Sequence, residues 1–565
     1  MKWDIVNIIP SAYRAKGIAV AVTIFMRALL NFVGLAALLP MLYILLDAEN
    51  MHSNTILEWL YTRLGFESNT TFVLTLSAML VAFIVLKSLL NLLLYRYERD
   101  YIYALYRHLS RNLFMGYYAR GLQYIKGANS AVLSRNVNAV CYTFIVGMLR
   151  PMATIACESV LLLLIFISIA IYSPVAALLA VAVFIPAAWL YHSLMRLRLN
   201  RYGKEENEAQ RKKYRNVTET YRGYADIEIN NAFAHQAEKF DANLDTIIRV
   251  GRKNATISML PQNFTEVALA LGLAILVSLS VGFESENIKI LFGIFAVAAL
   301  RILPSIRTIL SSWSALRYNR YTVDILNENG TAEASAVVRD NARLAFAESV
   351  ELRNLSFRFE DSDQMTIEDL SLSIRKGEKV GINGASGAGK TTLLNLMLGL
   401  YSPTSGVILV DGVALKGELV RQWQNSIGYV SQSIFLADDT LLANIAFGCD
   451  EDNIDMARIE RAVEAASLTE FVASLPKGLH SRIGECGALL SGGQRQRIGI
   501  ARVLYKQADI LFFDEATSSL DSATEQSINR SIERLSADNK ELTIVVVAHR
   551  ESSLAYCDRV ITIEK

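Results

Sequence analysis

At 565 residues the chain is long enough for several domains, and with 52% apolar residues it is too apolar for an ordinary soluble enzyme. A formal charge of +1 excludes a nucleic-acid partner held by a global basic field. The five cysteines (Cys141, Cys157, Cys449, Cys486, Cys557) lack metal-ligand spacing and read as reduced and unpaired.

Six apolar runs fill the first part of the chain: Ile18–Leu46, Thr71–Leu94, Thr143–Tyr172, Pro174–Leu194, Ser258–Phe283 and Ile290–Leu310. Each can span the ~30 Å hydrocarbon layer as a helix, and a buried soluble core does not need six in succession. The first is too long for a signal-peptide core and has no small-residue cleavage site, so no cleavable signal is expected. The expected lipid bilayer partner follows from these runs.

The loops alternate in charge. Residues 47–70 carry Asp47, Glu49, Glu58 and Glu67 against Arg63, whereas 96–135 and 196–253 are rich in Arg and Lys. Basic loops stay inside, which predicts cytoplasmic termini and an inner (plasma) membrane location. The two basic loops are long and helical in pattern, with turns expected at Lys126–Ser130 and Tyr221–Tyr224. They read as helices running on into the cytoplasm, either ending in short contact helices or forming solvated charged hairpins. In the acidic loop, Ile56, Leu60 and Leu64 recur at helical spacing, as on an amphipathic helix at the outer surface or one packed on the other spans.

Arg27, Lys87, Arg150, Glu158, Glu266, Arg301 and Arg307 fall within or at the edges of the spans. Intramembrane charge is expensive and marks function by default. Arg301 counts to about 17 Å into its span at helical rise. Arg27, Lys87 and Arg301 facing one cavity would attract an anionic group. Pairing with Glu158 or Glu266, or snorkelling, is the competing reading.

Residues 1–325 thus form the membrane domain, 326–347 a polar linker, and 348–565 an α/β domain. Its centre is Gly384-Ala385-Ser386-Gly387-Ala388-Gly389-Lys390-Thr391-Thr392, which fits the phosphate-binding pattern G-x-x-x-x-G-K-[ST] between a predicted strand (379–383) and helix (391–398). Backbone N–H groups and the helix N-terminus cradle phosphates, Lys390 reaches them, and the Thr391 hydroxyl holds Mg²⁺. Downstream, Leu490-Ser491-Gly492-Gly493-Gln494 opens a helix. The strand Ile510–Asp514 delivers Asp514 to bind Mg²⁺, and Glu515 follows where an attacking water must be polarised. Gln432 follows the strand 427–430, and His549 ends the strand 543–548.

In these motifs the chain resembles the ATP-binding cassette family: Walker A at Gly384–Thr391, Q-loop Gln432, signature Leu490–Gln494, Walker B Ile510–Asp514, D-loop Ser518–Asp521 and switch His549, in the family's order. With six spans and two long inside loops, the whole chain resembles an ABC exporter half-transporter. The resemblance implies a six-helix all-α transmembrane domain fused to a cytoplasmic α/β P-loop cassette. It implies ATP and Mg²⁺ as cofactors, Glu515 as the catalytic carboxylate supported by His549 and Lys390, and Gln432 as a sensor of the metal. It also implies an adenine-stacking aromatic, here Phe359, and a homodimer in which Ser491 and Gly493 of one copy complete the site at Lys390 of the other. Two departures stand out: Phe359 takes the place of the usual Tyr, and Gly484-Glu485-Cys486-Gly487 lacks the basic residue that exporters often carry there. The resemblance also implies further sequence beyond Val560–Ile563, where family members usually continue.

Ala298–Ser305, Trp313–Tyr318 and Leu86–Asn91 resemble spans of flippases for lipid-linked oligosaccharides in bacterial protein glycosylation, with Lys87 where an arginine is usual. The expectation is ATP-driven flipping of a lipid-linked oligosaccharide or similar anionic lipid. A drug, lipid or peptide exporter of the same architecture is the alternative, and an ATP-gated channel or regulator is the alternative of another class. Nothing precedes the first span that resembles a leader-peptide peptidase domain.

Overall fold

The structure, a computed structural model, describes residues 8–38, 55–63, 65–66, 68–172, 174–282, 286–329, 341–360, 362–385, 387–484, 487–515, 522–548 and 554–563. The chain divides into two compact units: residues 1–120 with 124–335, and residues 121–123 with 336–565.

The first unit is helical. Its elements are α1 (Ser11–Ala36), α2 (Thr55–Arg63), α3 (Asn69–Ala119), α4 (Gly121–Gly127, whose first three residues group with the second unit), α5 (Ser130–Arg135), α6 (Arg150–Tyr172, joined to α5 by helical residues 136–149), α7 (Pro174–Arg222), α8 (Tyr224–Ile229), α9 (Phe233–Gly282), α10 (Glu286–Tyr318) and α11 (Tyr321–Asn329). Among the described residues, Ser11–Ala36, Asn69–Ala119 and Ser130–Ile171 are long and apolar enough to cross a membrane. The other three predicted spans fall on α7, α9 and α10, of 49, 50 and 33 residues, with Phe283 at the end of one of them outside the described residues.

α3, α7 and α9 run far beyond bilayer thickness, as the periodicity of the basic loops predicts; the 51 residues of α3 reach about 75 Å. Both predicted turns are helix breaks. Asn129 accepts from the N–H groups of Ala131 (3.0 Å) and Val132 (3.3 Å) and caps α5, and Gly223 separates α7 from α8. A second break in each loop was not legible: Gly121 (φ +79°) and Asn231 (φ +50°) adopt left-handed conformations. These paired breaks isolate the short helices α4 and α8.

Helical periodicity carries the packing. Ile102, Leu105, Leu109 and Leu113 line one face of α3 and bury against Phe144, Met148, Leu316, Val323 and Leu326. Ala28, Leu161, Phe184, Ala268 and Ile302 join α1, α6, α7, α9 and α10 in a second cluster. On α2, Leu60 packs with Phe66 around the buried Phe72, and Trp59 stays exposed. The side chains of Ile56 and Leu64 lie outside the described residues. α11 runs to Asn329 with Val323 and Leu326 buried, and Phe346 already sits in the core of the second unit against Trp423.

The second unit contains two sheets. An antiparallel sheet is ordered β2 (Ile367–Arg375), β1 (Ser349–Phe357), β4 (Ser405–Val410), β5 (Val413–Ala414). A parallel sheet is ordered β6 (Ile427–Val430), β7 (Ile510–Asp514), β8 (Thr543–Val547), β3 (Lys379–Gly384), β9 (Arg559–Ile563). β7 and β8 are buried at every residue, which explains their unbroken apolar sequences. Helices α12 (Lys390–Met397), α13 (Glu418–Ser426), α14 (Leu441–Ile445), α15 (Met456–Ala465), α16 (Thr469–Ser474), α17 (Gly492–Lys506) and α18 (Ser522–Asp538) complete the unit.

Candidate functional site

β3 runs into the glycine loop and α12 leaves it, as the motif requires. Gly389 precedes α12 with φ +90°, and a Cβ there would lie 2.9 Å from the Thr366 carbonyl oxygen, so the turn admits only glycine. Lys390 is 6% exposed, and its Nζ donates to the carbonyls of Gly384 (2.8 Å) and Ala385 (3.1 Å). The loop's own oxygens thus hold the ammonium among the N–H groups that suit phosphate. Thr391 and Thr392 occupy the first turn of α12, Thr391 exposed; Gly387 (φ +81°) and Ala388 complete the described loop, and Ser386 lies outside it.

β7 ends at Asp514, 3% exposed. Glu515 then turns into the left-handed region (φ +49°), held by its N–H donating to the Val547 carbonyl of β8 at 2.8 Å. A non-glycine residue in this conformation carries strain of order 1–3 kcal/mol, which clusters at functional sites. Gln432 Nε2 donates to Glu515 Oε2 at 2.7 Å. Because the carboxylate only accepts, the Gln432 amide is oriented with its oxygen on the other side. The structure therefore brings Gln432 and Glu515 together. Sequence reasoning missed Tyr429, which stands on β6 opposite Phe512 and on the same face as Asp514. The available signal was a polar-tipped aromatic inside an otherwise apolar four-residue strand.

Ser491 caps α17. Its Oγ accepts from the Gln494 N–H (3.2 Å), and Gln494 Oε1 accepts from the Ser491 N–H (2.8 Å). This reciprocal capping box holds Gly492 and Gly493 at a helix N-terminus suited to anions. Phe359 is half-buried and edge-on to Phe357 (5.0 Å) and Tyr401 (5.9 Å). His549, the D-loop 518–521 and the 485–486 departure lie outside the described residues.

In the helical unit, Arg27, one of the three expected cations, has a carboxylate partner. Arg27 pairs with the buried Glu98 of α3, donates to Asn91 Oδ1 (3.2 Å) and lies over the Tyr95 ring. Its charge is answered by a carboxylate outside the spans, not by Glu158 or Glu266. Glu158 accepts from Ser305 (2.6 Å) and Glu266 from Gln262 (2.9 Å). Lys87 lies across Gly34 of α1, where a Cβ would come within 2.9 Å of its Nζ. The side chain of Arg301 lies outside the described residues.

The family model for "ABC transporter" matches residues 367–518. The ATP-dependent lipid A-core flippase of Ralstonia nicotianae is 32% identical over 411 residues, 72% of this chain and 68% of that protein. The chain belongs to the ABC transporter family. The corresponding flippases of Cupriavidus pinatubonensis and Burkholderia orbicola are 32% and 33% identical over 68% of this chain and 65% and 64% of their own lengths. This ABC transporter thus spans about two thirds of the length of these relatives. The structure of a bacterial Atm1-family ABC exporter with ATP bound matches at a TM-score of 0.77 and 21% identity, over 98% of this chain and 94% of that one, and shows the shared fold. The expected architecture, an all-α membrane unit joined to an ATP-binding, ATP-hydrolysing cassette of an exporter, therefore stands.

Proposed function

We propose that this ABC transporter is an ATP-driven flippase of the inner membrane that moves a saccharide-bearing anionic amphiphile, a lipid-linked oligosaccharide or a similar lipid, and works as a homodimer with cytoplasmic termini. The observation that carries the reading is the pairing of Gln432 with Glu515 beside a buried Asp514, a hydrolytic set at full strength in a chain whose relatives are named lipid A-core flippases. A gated channel does not need that set.

Chemically, Lys390 exchanges the Gly384 and Ala385 carbonyls for phosphate oxygens of ATP. Phe359 offers adenine a π-face. The donor set suits Mg²⁺: a hydroxyl at Thr391, the carboxylate of Asp514 and the amide oxygen of Gln432 are hard oxygen ligands. When bound, Mg²⁺ neutralises charge on the phosphates. Glu515 accepts a proton from the attacking water once Gln432 releases it, and His549 steadies the terminal phosphate. Ser491 and Gly493 of a second copy close the site, and α4 and α8 pass that closure to the spans. Lys87 and Arg301 attract the anionic headgroup.

Proteoliposomes test this with three fluorescent lipids: a polyprenyl-pyrophosphate oligosaccharide, a phosphorylated glycolipid and a zwitterionic phospholipid. ATP-dependent flipping of one or both anionic saccharide lipids is expected, at least tenfold faster than of the zwitterionic one. Glu515→Gln reduces hydrolysis and flipping by about 10²–10³-fold while ATP still binds. Flipping unchanged in a Lys87→Ala/Arg301→Ala double variant removes the cation site, and ATP-gated conductance without lipid movement removes the flippase.

A further inference from the structure

We propose that Arg343, within the expected linker, is a positioning residue for the signature helix of its own copy: it holds the C-terminal end of α17 so that Ser491 and Gly493 at the other end are presented to the ATP of a second copy. The inference deepens the shared-site reading and rests on it.

α17 has 15 residues and is about 22 Å long at helical rise. One end is the capping box of Ser491 and Gln494. The other end closes at Gln507, whose backbone is left-handed (φ 51°, ψ 57°), and Ala508 and Asp509 lead from it into β7. The last carbonyls of a helix have no partner within it. Here two of them go to one side chain: Arg343 Nη1 donates to the Gln507 carbonyl and Nη2 to the Lys506 carbonyl, each at 2.9 Å. A planar guanidinium bonded to two consecutive carbonyls fixes direction as well as place, and its charge suits the negative end of the helix.

The chain around Arg343 is itself held. The Leu344 N–H donates to the Gln422 carbonyl (3.1 Å), Asn425 Nδ2 to the Ala342 carbonyl (2.8 Å) and Ser426 Oγ to the Leu344 carbonyl (3.0 Å), so the residues on either side of Arg343 are pinned to α13. Lys506 Nζ donates to the carbonyls of Gln424 (2.7 Å) and Ile427 (2.6 Å), which ties the end of α17 to the end of the same helix. Residues 342–344 thus form a bracket on α13, and the guanidinium is the arm that reaches α17. Arg343 is exposed, so water can satisfy the carbonyls once it is removed. Its loss therefore loosens the direction of α17 with little cost to folding.

The test uses full-length copies with different tags, purified in tandem as mixed dimers in nanodiscs. In a dimer of a Lys390→Ala copy with a Ser491→Arg copy, the remaining site joins the signature of the first to the glycine loop of the second. Release of a fluorescent non-hydrolysable ATP analogue, bound with Mg²⁺, is followed after rapid dilution, so closure is read without hydrolysis. Arg343→Ala in the Lys390→Ala copy, whose signature is intact, is expected to speed release about 3–10-fold, in line with two charge-assisted hydrogen bonds exchanged for water. The same change in the Ser491→Arg copy should leave release within twofold. Arg343→Lys in the sensitive placement should recover part of the loss, since an ammonium reaches the carbonyls without the fork. Melting temperatures should stay within about 2 °C of the parent dimer. Unchanged release in the sensitive placement overturns the proposal, as does an equal effect in both placements or a loss that follows the melting temperature. If, with Arg343 intact, the mixed dimer releases the analogue as fast as a Ser491→Arg homodimer, the shared site itself falls and the proposal with it.

Discussion

Arg27 shows how a single contact changes the meaning of a charge. Read from the sequence, it is a cation near an anionic substrate; in the folded chain it faces Glu98, a carboxylate 4% exposed at its side chain. The partner stands 71 residues away, and only the register of α1 against α3 brings them together. Truncating one member of such a pair leaves the other charge buried and unanswered. Arg27→Ala is therefore expected to destabilise the helical unit by about 3–5 kcal/mol, whereas the double replacement Arg27→Gln/Glu98→Gln recovers most of that loss. Thermal unfolding in nanodiscs measures both. Equal melting temperatures for wild type and Arg27→Ala would show that the pair adds nothing. The residues of the hydrolytic set were legible by type and order, because phosphate chemistry demands them. Their positioning was not: the left-handed turn at Glu515 and its pairing with Gln432 arise from strand neighbours distant in sequence.

At the scale of elements, glycine spacing decides how closely helices meet. Gly203 of α7 receives the end of α10 so closely that a Cβ would sit 1.7 Å from the Tyr318 carbonyl oxygen, and a Cβ on Gly147 would sit 2.4 Å from Asn319 Nδ2. A backbone carbonyl cannot swing aside as a side chain can. Gly203→Ala is expected to cost about 1–3 kcal/mol through overpacking. Gly251→Ala in α9, with nothing within 4 Å of its Cβ, is expected to be neutral or to gain up to about 1 kcal/mol from helix propensity. Melting temperatures of the two variants should move in opposite directions or differ clearly; matching shifts would argue against the close approach. Neither glycine stands out in the sequence, since each lies in an ordinary helical pattern. The parallel strands, by contrast, were legible at nearly their observed bounds. Runs such as Ile510–Asp514 and Thr543–Val547 are buried on both faces and cannot alternate. Within the expected linker, Leu326 closes a helical face and Leu344 and Phe346 join the next core.

For the whole molecule, the decisive arithmetic is that the chain carries one glycine loop and one Leu490–Gln494 signature. If each ATP is enclosed by the loop of one copy and the signature of another, a dimer has two equivalent sites, and lesions can be sorted between them. A copy bearing Lys390→Ala keeps its signature, and a copy bearing Ser491→Arg keeps its glycine loop. In a mixed dimer both lesions fall in one site and the other site is intact. Each variant alone is expected to be nearly inactive. Random mixing makes half the dimers mixed, each with one working site, so the mixture should recover roughly a quarter of wild-type ATPase if the sites act independently, and less if they act only together. Differently tagged copies purified in tandem isolate the mixed species, whose activity per dimer should then rise toward half. Mixed dimers confirmed by both tags, yet no more active than either parent, would show that hydrolysis needs both sites intact or that the sites are not shared. Photo-crosslinking of an ATP analogue separates these, because a shared site labels the copy with wild-type Lys390 only when the signature opposite it is also wild type.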